Sequence, residues 1–356
     1  MDMKREYYED IELIGSGVVL FWSAAFLIFL FTLPIYMPNY YIYLLNIIIV
    51  NVILAVGLSI LVGYTGQISL GHAGFFAIGA YGTVFMMTHF QLPFIFALPL
   101  AAFIAAFFGF ILGLPALRLE GPYLAIATLG FGLAIMHVIG TWDIFGGRMG
   151  LHAPPLDLGI PKMGFSWVLE SDVSMYYLIL VVAVIMIVSA INLMKTRVGR
   201  AFVAIRDSDI AAEVMGVNLT IYKTLAFAIS AFYAGIAGGL FAFVCGFFDP
   251  FTFNMILSII FLVMVVVGGL GSILGAIMGA TLITYLQYDL LKNVSEVPYL
   301  GDFLISVSKK WFTVIGLENF GGMVLGLIMI GIIIFEPLGM YGIWIRIKKY
   351  WITWPF

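Results

Sequence analysis

Hydrogen-bonding side chains are concentrated in one short stretch, GYTGQISLGHAGFF (63–76), which apolar sequence flanks on both sides. These side chains could contact a polar solute or satisfy backbone groups that a helix leaves free. The candidates for a translocation path are Tyr64, Thr65, Gln67, Ser69, Gly71 and His72. Since glycines permit helix breaks and close helix approach, the stretch predicts one of two structures. It is either a turn before a small-residue packing face, or a broken helix that lines the path.

A second polar segment, RVGRAFVAIRDSDIAAEVMGVNLTIYKT (197–224), is rich in both acidic and basic residues. Its centre predicts a short helix that Asp207 or Ser208 caps and that Gly216 with Asn218 ends. A simple connection between two helices needs only a few residues. The length and the capped helix therefore indicate a docking element for a cytoplasmic partner. The alternative is an amphipathic helix that rests on lipid headgroups.

Several kinds of chemistry are absent from the sequence. It contains neither a G-x-x-x-x-G-K phosphate loop nor a Cys/His cluster at metal spacing. The histidines are scattered and form no catalytic cluster. No predicted membrane segment carries a central Asp, Glu, Lys or Arg, which argues against a proton-coupled carrier. We therefore expect no enzyme activity, metal or cofactor on this chain, and a stand-alone carrier or channel is the weaker alternative.

Composition shows which elements must position these residues. The chain has 356 residues, of which 63% are hydrophobic and 10% charged, whereas a soluble domain carries about 25% charged residues. Long apolar runs recur at close to the roughly 20 residues that a membrane helix needs. The sequence predicts an all-α polytopic membrane bundle of about ten segments with at least one broken helix. They are expected at 18–37, 41–62, 67–88, 94–117, 122–140, 176–194, 224–246, 253–270, 272–290 and 321–344.

The distribution of lysine and arginine suggests an orientation. Most of them fall on the cytoplasmic side if the N-terminus lies there, which also places the C-terminus inside. This predicts a permease domain at 18–345 between cytoplasmic tails at 1–17 and 346–356. Three longer connections follow: external loops at 141–175 and 291–320, and a cytoplasmic coupling segment at 195–223.

A second glycine cluster, GGLGSILGAIMGA (268–280), is similar to the first. The tetrapeptide Gly66–Ser69 matches Gly269–Ser272, with a glycine and a serine at corresponding positions. Recurrence in both halves of a transporter suggests an internal repeat, although so short a match also arises by chance.

Five ordered motifs resemble those of branched-chain amino acid ABC transporter permeases, most closely the LivM type. The resemblance extends from about residue 40 to 340. The motifs are GYTGQISLGHAGFFAIGAY (63–81), LRLEGPYLAIATLGFG (117–132), FGGRMGL (145–151), TRVGRAFVAIRDSDIAAEVMGVN (196–218) and GGLGSILGAIMGA (268–280).

The resemblance implies a multi-pass cell-membrane subunit of an importer for leucine, isoleucine or valine. Its partners would be a sister permease, two cytoplasmic ABC ATPases that hold ATP and Mg, and an external solute-binding protein, with no nucleic acid. Urea, short amides and other amino acids are the alternative cargoes. We expect the helix at 207–217 to transmit ATPase closure to the glycine clusters. The candidate coupling residues are Arg206, Asp207, Asp209, Ala211, Ala212, Glu213 and Gly216, with Ala-Ala-Glu here in place of the family's Glu-Ala-Ala.

Overall fold

The computed structural model describes residues 17–119, 121–157, 168–169, 171–290 and 339–353, with isolated residues between 326 and 338. The described chain is mainly helical. The helices are α1 Gly17–Tyr36, α2 Asn39–Ser59, α3 His72–His89, α4 Phe94–Ala116, α5 Pro122–Thr141, α6 Asp172–Lys195, α7 Arg197–Asp207, α8 Asp209–Val214, α9 Leu219–Cys245, α10 Met255–Gly268, α11 Ile273–Tyr285 and α12 Gly339–Thr353. Helix α2 continues as a π-turn, Ile60–Tyr64, and α11 as another, Leu286–Leu290.

The expected all-α membrane bundle is confirmed, but the count of about ten segments is not. Among the described residues, five helices are long and apolar enough to cross a membrane: Asn39–Tyr64, Phe94–Pro115, Pro122–Thr141, Asp172–Lys195 and Leu219–Cys245. Shorter apolar helices occur at Ala24–Tyr36, Met255–Gly268 and Ile273–Tyr288. The predicted loop at 291–320 and most of the predicted segment at 321–344 lie outside the described residues.

Helix α9 occupies the centre of the bundle and packs against α2, α3 and α4. Small residues allow its backbone to approach α3 closely. A Cβ added at Gly238 would lie 1.9 Å from the carbonyl oxygen of Phe76, and one at Gly79 would lie 2.1 Å from that of Gly235. These glycines therefore set the separation of the two central helices.

The connections lie at two opposite ends of the bundle. At one end, β1 (Leu151–His152) pairs antiparallel with β4 (Phe247–Phe248). Nearby in the chain, β2 (Leu156–Asp157) pairs with β3 (Val168–Leu169). The other end carries α7, α8 and both glycine clusters. The described parts of the segments 141–175 and 195–223 lie at opposite ends of α6, the helix that joins them.

Gly238→Ala is expected to destabilise the purified chain because its methyl group would force α3 away from α9. Overpacking of this kind costs about 1–3 kcal/mol, which a thermal unfolding midpoint in detergent would report. Gly130→Ala on α5 is the matched control, since no described atom lies within 4 Å of its added Cβ. Equal midpoints for the two variants would contradict the close approach of α3 and α9.

Candidate functional site

The polar stretch interrupts the helical path between α2 and α3. Residues 66–71 are non-helical, and α3 begins at His72; this segment is called the first glycine break below. The side chains of Thr65, Gln67, Ser69 and His72 are all buried. The chain thus carries irregular backbone with these four side chains buried, while Gly66 and Ile68 are exposed, in agreement with the predicted helix interruption.

Side chains from distant helices satisfy the backbone at the break. The Leu70 N–H donates to Oγ1 of Thr128 on α5 at 2.9 Å. The Ala73 N–H, in the first turn of α3, donates to Oγ of Ser258 on α10 at 3.0 Å. Inside a membrane such groups need protein partners. Sequence reasoning did not single out Thr128 or Ser258, because a lone hydroxyl in an apolar helix is a weak signal.

His72 is held by two hydroxyl groups. Its Nδ1 lies 3.0 Å from Ser69 Oγ, and its Nε2 lies 2.6 Å from Oγ of Ser230 on α9. Gly71 lies so close to α5 that an added Cβ would be 2.2 Å from the Thr128 carbonyl oxygen. In this conformation Ser69, Gly71 and His72 therefore make contacts within the chain.

Gln67 differs from its neighbours because its amide has no hydrogen-bond partner. Both side-chain atoms, Nε2 and Oε1, are buried and unpaired within the part of the chain that the structure describes. Its backbone N–H donates to the Leu61 carbonyl oxygen at 3.2 Å. A buried amide without partners raises the free energy of the state that contains it.

A cleft of about 400 Å³ separates the first glycine break from the coupling segment. Thr65 and Gln67 belong to its wall on the side of the break. On the other side lie Arg206, Asp209 and Lys223. Lys223 Nζ is 2.5 Å from Asp209 Oδ2, and this ion pair ties the start of α8 to the start of α9.

The coupling segment contains two helices where the sequence suggested one. Ser208 separates α7 from α8, and its Oγ accepts from the Ala211 N–H at 3.3 Å, as one of the predicted caps. Gly216 follows α8 with φ of +87°, a conformation that favours glycine. Asn218 was expected to end α8, but it instead caps α9, accepting from the Ile221 N–H at 3.2 Å.

Helix α8 presents an apolar surface to the outside of the chain. Ile210, Val214 and Met215 are 78%, 81% and 83% exposed. The predicted coupling residues on and around α8 differ in their exposure to solvent. Asp207, Ala211, Glu213 and Gly216 are exposed, whereas Ala212 is buried.

Arg206, a predicted coupling residue, is partly exposed and also contacts the rest of the bundle. Its Nη1 donates to the Gly63 carbonyl oxygen at 3.3 Å. Its Nε and Nη2 donate to Asp207 Oδ1 at 3.2 and 3.1 Å. An added Cβ on Gly271 would lie 2.8 Å from Arg206 Nη1. The guanidinium therefore links the end of α7 to the end of α2, just before the first break, and to the second break.

The second glycine break, residues 269–272, separates α10 from α11. It touches the end of α2: an added Cβ on Gly63 would lie 2.4 Å from the Gly271 nitrogen. Ser272 caps α11, with its Oγ accepting from the Gly275 N–H at 3.1 Å. The two similar glycine clusters of the sequence thus meet in space, beside Arg206.

Comparison with known proteins shows which family this chain resembles. The family model described as "Branched-chain amino acid transport system / permease component" matches residues 40–333. Over 270 residues the chain is 36% identical to the high-affinity branched-chain amino acid transport system permease protein LivM of Salmonella typhimurium, and 35% identical to that of Escherichia coli. Each alignment covers 70% of this chain and 63% of the relative, so the chain spans only that part of their length.

A more distant relative aligns over a larger share of both chains. The chain is 26% identical to the probable branched-chain amino acid transport permease protein LivH of Methanocaldococcus jannaschii. That alignment of 308 residues covers 84% of this chain and 90% of the relative. No solved structure gave a significant match.

Gln67→Met is expected to stabilise this conformation, because it removes two unpaired amide atoms and keeps a similar volume. The free energy of unfolding should rise by about 1–3 kcal/mol, measured as a higher thermal midpoint of the purified chain. Ser230→Ala is the contrasting variant: it removes the hydroxyl partner of His72 Nε2 and should lower the midpoint. A lower midpoint for Gln67→Met would contradict the unpaired amide.

Proposed function

Because the chain belongs to the branched-chain amino acid transport permease family, we propose that it is the membrane-spanning subunit of an ATP-driven importer. The observation that carries this proposal is α8, a capped helix whose apolar side chains Ile210, Val214 and Met215 are exposed. Acidic groups of Asp207 and Glu213 lie beside them. An exposed apolar surface with a polar rim is typical of a protein docking site. Its occupant here is a cytoplasmic ATPase.

The assembly contains this chain, a sister permease subunit, two such ATPases and an external solute-binding protein. The cargo is a branched-chain amino acid, as in the names of the LivM relatives. ATP and Mg belong to the ATPases, and this chain contributes the pathway. In this orientation both termini are cytoplasmic, and the end with β1 and β4 faces the external binding protein.

Force from the ATPases reaches the pathway through Arg206. Helix α8 is joined to α7 by the single residue Ser208, so displacement of α8 also moves the end of α7. Arg206 is at that end and contacts Gly63 and Gly271 directly. Movement of α7 therefore acts on both glycine breaks, where α2 meets α3 and α10 meets α11. Repacking of these helices opens the pathway alternately to the two sides.

Ile210→Asp is expected to weaken ATPase docking by at least tenfold, since it places a charge in the apolar surface of α8. Co-purification of the ATPases with the tagged permease measures this. Ile221→Asp is the matched control: this isoleucine is also exposed, at 58%, but lies on α9. Full recovery of the ATPases with Ile210→Asp would contradict docking at α8.

Arg206→Gln is expected to uncouple the transporter and leave docking intact, because it removes the link from α7 to the two breaks. In proteoliposomes, leucine uptake per ATP hydrolysed should fall at least tenfold. Arg200→Gln is the matched control, since Arg200 is also an exposed arginine of α7, and it donates to the Lys195 carbonyl oxygen. An unchanged ratio with Arg206→Gln would show that coupling runs by another route.

The choice of cargo and the need for ATPases are tested together by reconstitution. Vesicles with the full assembly should accumulate leucine, isoleucine or valine only with ATP and the binding protein. Preferential uptake of urea, a short amide or an unrelated amino acid would contradict the assignment of a branched-chain amino acid as cargo. Uptake by this chain alone would replace the importer with a carrier or channel.

A further inference from the structure

The last described helix, α12, has a composition unlike that of the other helices at its end of the bundle. Its sequence, GMYGIWIRIKKYWIT, holds three basic residues and no acidic one. Its large apolar side chains are exposed: Ile343, Trp344, Ile347 and Tyr350 range from 44% to 63%. Among the residues that the structure describes, nothing covers this apolar side.

The exposed side chains of α12 separate into an apolar face and basic borders. At about 100° per residue, the four exposed apolar residues fall within an arc of about 120°. Arg346 follows at one edge of this arc and Lys348 at the other, both exposed. Arg346 also pairs with Glu336, at 2.6 Å between Nη1 and Oε1, yet its side chain remains 70% exposed.

The start of α12 is fixed to the second glycine break. Gly339 has φ of +63°, and an added Cβ there would lie 2.6 Å from the Val267 carbonyl oxygen and 2.7 Å from the Gly269 nitrogen. An added Cβ on Gly269 would in turn lie 3.0 Å from Tyr341 Cβ. The helix therefore begins at the same end of the bundle as the coupling segment.

We propose that α12 lies in the headgroup layer and binds anionic phospholipids. Its apolar face meets the acyl chains, while Arg346 and Lys348 at its borders reach the phosphate groups. Aromatic residues with long basic side chains suit this depth, since each has an apolar body and a polar tip. A basic amphipathic helix binds a membrane by its apolar area and by attraction to anionic lipids.

Charge distinguishes α12 from the docking surface on α8. The exposed apolar residues of α8 lie beside Glu213, which an anionic membrane surface repels, while Asp207 is paired with Arg206. Those of α12 lie beside Arg346 and Lys348, which it attracts. Two exposed apolar helices at one end of the bundle thus have different occupants, a soluble protein for α8 and a lipid surface for α12.

Spin labels on the full chain test the proposal without ATP or partner proteins. Single cysteines replace Ile347 and Lys348 in a Cys245→Ser background, and the chain is reconstituted in vesicles of phosphatidylcholine with phosphatidylglycerol. The label at 347 should be more accessible to oxygen than to a water-soluble nickel chelate, and the label at 348 should show the reverse. In phosphatidylcholine alone, or at high salt, this contrast should fall severalfold.

A pair of double variants tests the role of charge. With the label at 347, Arg346→Gln/Lys348→Gln should abolish the effect of phosphatidylglycerol, whereas Arg346→Lys/Lys348→Arg should retain it. Equal chelate accessibility at 347 and 348 in both kinds of vesicle would overturn the proposal. So would shielding of residue 347 only after the ATPases are added, which would make α12 a second protein contact. Neither outcome bears on docking at α8.

Discussion

Backbone groups inside a membrane must find their partners within the protein, and the arrangement around α3 depends on that constraint. Residues 66–71 leave the helical path just before α3, so their N–H groups must bond elsewhere. Thr128 and Ser258 accept from Leu70 and Ala73. Three helices, α3, α5 and α10, are thereby fixed to one another at the first glycine break.

The same region is also the place where the helices can rearrange. Glycines allow the end of α2 to touch the second break, and Arg206 adds a hydrogen bond from the coupling segment. The bundle thus brings both interruptions and the end of α7 together. This provides a structural basis for the proposed transmission of force. Outside the region, glycines between α3 and α9 hold these helices in close contact, which suits a rigid support.

The sequence predicted the local features well. Composition and apolar runs indicated a membrane bundle, the glycines indicated an interrupted helix, and cap residues indicated a helix within 207–217, which the structure has at Asp209–Val214. Partners distant in the chain could not be found this way. Thr128, Ser230 and Ser258 lie 58, 158 and 185 residues from the atoms that they bond. Arg206 shows the same limit, because its hydrogen bond to Gly63, 143 residues away in the chain, has no signal in the sequence.

The unpaired amide of Gln67 has a consequence for the transport cycle. A conformation that gives this amide a donor and an acceptor would have a free energy lower by about 1–3 kcal/mol at this residue. Since 1.4 kcal/mol corresponds to about a tenfold change in an equilibrium constant, one side chain can bias the two populations by roughly an order of magnitude. The conformation described here would then be the less favoured of the two at this residue. A partner that stabilises it has to overcome that bias, and release of the partner allows the chain to leave it.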